Sequence, residues 1–341
     1  MASLEDNTRT GPRQCWRIRA QDLICVETQG GRPEVRGRRV EDFLRRQGFS
    51  SRSLTRLRKE KGSLLCNGLP VRTVDLLQEG DLLEAVFPEE QPDSRLAVSH
   101  IPVEIVYEDR DLLVYNKPPG MACHTSRGQY TDTLANVFAG YCQRKGLSLA
   151  FRPVNRLDKD TSGLVLCAKN PRAAQWFSGV PLPNGRSRSV SVSTRPGVEK
   201  GYLALLGGEL PLEEGTMDAP IGQPDPSDSR RQVWEGGQPA VTHYRVLARR
   251  KGYTLVYVWL ETGRTHQIRV HFSHLGYPLV GDRLYGGDHS LMDRQALHCC
   301  KMSFESFDGR EVALHAPLWP DMRQAMDVLG LPLEEKRSEV L

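Results

Sequence analysis

The chain has 341 residues, too many for one small domain and enough for two. Its hydrophobic content of 39% is ordinary for a water-facing globular protein, and no apolar run is long enough to cross a bilayer, so contact with a membrane core is not expected. The net charge is only +4, so any contact with a polyanion has to come from a local patch.

Residues 1–33 read as an N-terminal extension. The first dozen or so are polar and lack the apolar core of a secretory signal, which makes the cytoplasm the expected compartment. Trp16 to Glu27 alternates loosely, as one edge strand would. Residues 34–90 read as a small α+β domain. Val40 to Gly48 has the pattern of a short amphipathic helix stopped by glycine. Ser51 is placed to cap a second helix, Ser53 to Lys61, with Leu54 and Leu57 inward and Arg52, Arg56, Arg58 and Lys59 outward. Gly62 to Val71 reads as a hairpin around Asn67-Gly68, and Leu76 to Phe87 as a turn and a final apolar strand. Arg36 to Lys61 is rich in arginine and lysine, while Gly80 to Asp93 leans acidic. One reading is a solvated helix face; the other is contact with a polyanion.

Residues 91–100 are polar and read as a linker. Residues 101–332 form the second domain. Short strands dominate it, with helices expected at Asp132–Lys145, Pro171–Ser178, Arg264–Leu275 and Trp319–Leu329. The pattern indicates an α+β fold class, built on a mixed or antiparallel sheet. Residues 179–199 are Ser/Arg-rich and poor in core residues, and read as a mobile insertion that either contacts a polyanion or is a plain surface loop. The eight cysteines form no Cys-x-x-Cys pair and suggest neither zinc nor disulfides; adjacent Cys299 and Cys300 would face opposite sides of a strand.

The most informative stretch is Asn155 to Gly163, NRLDKDTSG. Arg156 and Asp158 are two apart and share a face in extended chain. Pro153 and Gly163 bracket them, and the apolar run Leu164 to Ala168 follows as a buried strand. A carboxylate beside a guanidinium at a sheet edge suits work on an anionic substrate. Taken alone, the same residues suit a capped turn with a surface ion pair.

The stretch does not stand alone. It resembles the central motif of the RluA-type family of RNA pseudouridine synthases. Four further blocks resemble that family in the family's order: Ile105 to His124, the Lys200–Leu205 segment KGYLAL, Thr262 to Gly287, and Leu297 to Pro317. Residues 36 to 87 resemble the small RNA-binding module first recognised in ribosomal protein S-four. The resemblance implies one large mixed, mainly antiparallel sheet with a cleft across its middle. It implies isomerisation of uridine to pseudouridine without metal or cofactor, normally by a monomer.

It also implies roles for individual residues. Asp158 is the carboxylate that attacks the sugar or removes a ribose proton, and either role needs it ionised. Arg269 pairs with it, and a neighbouring cation favours and orients that form. Tyr202 stacks on the uracil or relays a proton. Arg156 enters the space left by the flipped base, where a planar cation can both stack and hydrogen-bond. Arg264 shapes the rim with Thr265 and His266, and Leu297 packs near the base. Asn155 stands where the family more often has histidine. Lys117-Pro118-Pro119-Gly120 lacks the glycine spacing of a phosphate loop. The implied partner is RNA. The domain layout favours large-subunit ribosomal RNA, and transfer RNA is the alternative substrate. A catalytically silent RNA-binding protein and a two-carboxylate glycoside hydrolase are the rival readings. The hydrolase would need a second positioned acid, and Asp160 suits a turn contact better.

Overall fold

The structure is a computed structural model. It describes residues 13–27, 33–47, 49, 51–86, 96–126, 128, 130–177, 197–306 and 309–331. The first twelve residues, residues 91–95 of the expected linker and residues 179–196 of the expected insertion lie outside the described residues. The chain divides into two compact units. One comprises Met1–Arg95, Cys142–Arg152 and Lys169–Arg195; the other comprises Leu96–Tyr141, Pro153–Ala168 and Pro196–Leu341.

The first unit begins with β1 (Arg13–Arg17), one turn of 3-10 helix at Ala20–Asp22, β2 (Ile24–Glu27), β3 (Pro33–Arg36) and β4 (Arg38–Arg39). The single edge strand expected over Trp16–Glu27 is therefore two strands. The break has a local cause, because the Asp22 carboxylate accepts the Arg19 N–H at 2.9 Å and closes a turn. Next come α1 (Val40–Arg46), α2 (Ser51–Lys59), β5 (Leu64–Cys66), β6 (Leu69–Pro70), β7 (Leu76–Leu77) and β8 (Leu82–Val86). Helix α2 starts two residues earlier than its sequence suggests. Ser51 lies inside it and its hydroxyl accepts from Arg45 Nη1 at 3.1 Å rather than capping. Strands β1, β8, β5 and β6 form one sheet in that order. Asn67 and Gly68 both have positive φ, 51° and 81°, as a two-residue hairpin turn requires. Leu54 and Leu57 are buried with Phe43, Leu44, Phe49 and Leu83 in this unit's core. Burying leucines of this kind stabilises by about 1.5–3 kcal/mol each. Arg56, Arg58 and Lys59 are exposed.

The chain continues through β9 (Glu104–Glu108), β10 (Leu112–Lys117), α3 (Leu134–Lys145), β11 (Ser162–Ala168), α4 (Pro171–Phe177), β12 (Glu199–Gly207), β13 (Glu214–Asp218), β14 (Ile221–Gly222) and β15 (Gln232–Val233). It ends with β16 (Val241–Arg250), β17 (Tyr253–Leu260), α5 (Gln267–His274), β18 (Leu297–Glu305), β19 (Glu311–His315) and α6 (Pro320–Leu329). A nine-stranded sheet runs β13-β16-β17-β12-β18-β11-β10-β9, with β19 paired to β18. Its pairs are antiparallel except β11 with β18, which is parallel for two residue pairs, Ser162 with His298 and Gly163 with Cys299. The α+β class and mixed sheet are as expected. Every residue of β11 is buried, which is why its sequence reads as an apolar run and not as an alternation. At Gly163 φ is +112°, and a Cβ there would overlap the Cys299 carbonyl, so this crossing of β11 and β18 requires glycine. Leu203, Leu205, Leu255 and Cys300 pack with Met322 and Met326 of α6 in a core on one sheet face.

Candidate active site

The loop before β11 carries Asp158, and nearly every residue of it is tied down. Asn155 Nδ2 donates to Leu164 O at 3.2 Å, and its Oδ1 accepts Leu166 N–H at 2.9 Å, so the asparagine bolts the loop to the strand. The Cys123 thiol meets the backbone of Leu157 at 3.4 Å. Lys117 Nζ donates to the carbonyls of Pro118, Met121 and Lys159 at 2.8, 2.7 and 3.0 Å. Arg294 Nη1 donates to Asp160 O at 3.0 Å, and Gln295 Nε2 to Thr161 Oγ1 at 3.2 Å. Ser162 Oγ meets His298 Nδ1 at 2.9 Å. Burial pushes the Lys117 ammonium down to about 8. Three carbonyl oxygens at its head make a buried ammonium tolerable.

Arg269, on the first turn of α5, is buried between two carboxylates. Its Nε and Nη2 donate to Asp282 Oδ2 and Oδ1 at 2.7 and 2.8 Å, a two-pronged grip on a fully buried carboxylate. Its Nη1 donates to Asp158 Oδ2 at 3.0 Å. The guanidinium also lies over the Tyr285 ring, 5.0 Å from its centre. Burial works against its charge, but the Asp282 hydrogen bonds and charge, followed by Asp158, outweigh burial and raise its pKa. Among the described residues, Asp158 Oδ1 has no hydrogen-bond partner, so one carboxylate oxygen is held and the other is left free.

His266 precedes α5 with φ 58° and ψ 19°, a left-handed conformation that costs a non-glycine residue about 1 kcal/mol. The helix starts at Gln267, later than the expected Arg264. Residues 262–266 turn instead, closed by the Gln267 side chain, whose Oε1 accepts from Arg264 N and Thr262 Oγ1, both at 2.9 Å.

One cavity of about 90 Å³ brings together Arg156, Asp158, Tyr202, Arg264, Arg269 and Leu297. Tyr202 comes from β12 and is 6% exposed; Leu297 opens β18. Burial, and then the Cys299 thiol beside it, push the Tyr202 pKa well up, so the phenol is neutral at ordinary pH. Arg156 is exposed at the rim, and Arg264 Nε is held by Pro239 O at 2.9 Å. The arrangement offers a fixed carboxylate, a neutral phenol and an apolar wall for a planar base, and a cation at the mouth. Arg52, Arg56, Arg58 and Lys59 belong to α2 in the other unit. Arg58 is engaged by the Glu41 carboxylate and by Thr73 Oγ1 at 3.0 Å, and the side chain of Arg52 lies outside the described residues.

Comparison with known proteins decides the family. A model of RNA pseudouridylate synthases matches residues 111–274. The chain is 40% identical over 284 residues to an uncharacterized RNA pseudouridine synthase of Bacillus subtilis, YjbO, spanning 83% of this chain and 96% of that one. The chain belongs to the RluA-type family of RNA pseudouridine synthases. It is also 34% identical over 277 residues to the ribosomal large subunit pseudouridine synthase D of Escherichia coli K12, spanning 75% of this chain and 79% of that one. Among solved structures it is similar to human RNA pseudouridylate synthase domain containing 4, with a TM-score of 0.49 at 23% identity over 67% of this chain and 94% of that one. Human RNA pseudouridylate synthase domain containing 1 gives a TM-score of 0.47 at 27% identity over 66% and 87%. The protein is thus an isomerase whose substrate is RNA.

The pseudouridine synthase site includes residues that sequence reasoning did not single out. Asp282, Tyr285, Arg294 and His298 all act on the loop or on the groups that hold it. Lys117 lacks the surroundings of a phosphate loop, yet it anchors the loop backbone through Lys159 O. Asp282 and Tyr285 do lie inside the Thr262–Gly287 block, so the signal was present as a motif without a role attached.

Proposed function

We propose that this synthase converts specific uridines of structured RNA to pseudouridine, with large-subunit ribosomal RNA as its principal substrate. Asp158 acts on the sugar through the oxygen that Arg269 leaves free. Tyr202 and Leu297 flank the detached uracil, and the neutral phenol donates or relays a proton. Arg156 fills the space the flipped base vacates, and Arg264 shapes the rim. The residue 34–90 unit, of the ribosomal protein S-four type, supplies further affinity through the arginines and lysine of α2. The single observation that carries this reading is the 3.0 Å bond from Arg269 to Asp158 at the wall of a cleft that also holds Tyr202 and Leu297. Ribosomal RNA is preferred because the E. coli relative is named for it.

The test is a single-base pseudouridine map of total RNA from cells with and without the gene. Sites lost on deletion, restored by wild type and not by Asp158→Asn, are expected in large-subunit ribosomal RNA. Lost sites confined to transfer RNA would overturn the substrate assignment. An unchanged map would favour a silent RNA-binding protein.

A further inference from the structure

Tyr285 lies between the Asp158 cleft and a larger cavity of about 570 Å³ lined by Arg230, Arg231, Ser273 and His274. Among the described residues, its hydroxyl has two hydrogen-bond partners. One is the backbone N–H of Arg231 at 2.9 Å, the other Nδ1 of His266 at 2.9 Å. A backbone N–H can only donate, so the tyrosine proton has one acceptor available, and that is Nδ1. A neutral imidazole accepting at Nδ1 carries its own proton at Nε2. That Nε2 lies 3.8 Å from Asp158 Oδ2, the same oxygen that Arg269 holds. The His266 ring stands edge-on to Tyr285, with centroids 5.7 Å apart and planes at 83°, and its backbone is held in the left-handed region.

We propose that His266 is a positioning residue for Asp158: Tyr285 fixes its tautomer, and its Nε2–H acts beside Arg269 on Oδ2 to turn the other carboxylate oxygen toward the ribose. This rests on the reading of Asp158 as the acting carboxylate. The groups that face the ring are Asp158, Arg269, Asp282, Arg231 and Tyr285. Burial, with Arg269 and Arg231, outweighs the two carboxylates and lowers the imidazole pKa, which keeps the ring neutral at pH 7 as the tautomer argument requires. At 3.8 Å the donor stands just beyond hydrogen-bonding distance, and a small closure on substrate completes the bond. Arg231 ties this lock to the hairpin of β14 and β15, and the same tyrosine lines the larger cavity.

The experiment uses full-length enzyme and RNA tritiated at uridine C5, isolated from cells lacking the gene; tritium release reports the chemistry. Single-turnover rates and filter retention of the same RNA are measured for wild type, His266→Ala, His266→Gln, Tyr285→Phe and Asp158→Asn, with melting curves for folding. His266→Ala is expected to lose about 30-fold in rate with RNA retention within about two-fold. His266→Gln places an amide N–H near Nε2 and is expected to recover to within about three-fold of wild type. Tyr285→Phe is expected to fall between them. A glutamine variant as slow as alanine, a wild-type rate in His266→Ala, or a loss seen only in RNA retention overturns the proposal. Activity retained in Asp158→Asn overturns the reading of Asp158 itself, and this inference with it.

Discussion

Asp282 occupies two nitrogens of the Arg269 guanidinium and leaves the third, Nη1, for Asp158. The orientation of Arg269 is therefore set by a buried carboxylate. Asp282 is 1% exposed. The cation reaches Asp158 already aligned, so in the proposed role of that carboxylate little reorganisation is needed when RNA arrives.

Lysine cannot serve both carboxylates, because it is a point charge without a fork. Arg269→Lys is expected to lower single-turnover pseudouridine formation by about 100-fold while RNA retention changes little. Asp282→Asn leaves the buried guanidinium half-paired and is expected to cost about 3 kcal/mol of stability, read from a denaturant melt. Near-normal turnover in Arg269→Lys would show that the fork is not needed.

Lys117 holds three carbonyls with three hydrogens, one of them on the residue after Asp158. Its ammonium loses a proton near pH 8, and the amine then has two hydrogens for three acceptors. Turnover should fall as pH rises through about 8, ahead of any unfolding seen by circular dichroism. Lys117→Met strands those carbonyls and is expected to cost about 2–3 kcal/mol, with turnover flat across the same pH range. A flat wild-type profile up to pH 9.5 would contradict the assignment.

His298 is buried and neutral. Its Nε2–H donates to Ala316 O at 3.2 Å, and Nδ1 accepts from Ser162 Oγ at 2.9 Å. Burial brings its pKa down to about 4 from an ordinary 6.5. Between those values the unfolded chain binds a proton that the folded chain refuses, so stability falls as pH drops from 6.5 to 4 and levels off below. The difference amounts to about 3 kcal/mol. His298→Gln should be less stable at pH 7 but lose less on acidification. Parallel melting curves for the two proteins from pH 7 to pH 4.5 would argue against this residue.

Gly163 is where β11 passes closest to β18. Gly163→Ala places a methyl group against the Cys299 carbonyl at positive φ, and is expected to cost about 3 kcal/mol or more. Loss of soluble protein, or a melting temperature many degrees lower, is the expected result; a wild-type melt would refute the close approach.

The helices, the Asn67-Gly68 hairpin and the buried β11 could be read from the sequence because each leaves a local mark: a period, a turn pair, an unbroken apolar run. The start of α5 was missed because the Gln267 side chain closes a turn that no periodicity records. Asp158 and Arg269 were found through their motifs. What holds them was not, because Asp158 and Arg269 lie 111 residues apart, Asp160 and Arg294 134, and Ser162 and His298 136. Spacing statistics carry nothing over such distances. Lys117 went without a role for a related reason: its sequence neighbours show only that it is no phosphate loop, and the carbonyl of Lys159 that it holds lies 42 residues away.

The short parallel contact of β11 with β18 also has a bearing on biosynthesis. The strand that follows the Asp158 loop is made early, while its parallel neighbour and several of the loop's clamps come from residues after 260. A nascent chain therefore carries Asp158 for more than a hundred residues before Arg269, which holds it, has been translated. On the proposed role of Asp158, a product cut short before these residues is expected to lack chemistry altogether rather than have a reduced share of it.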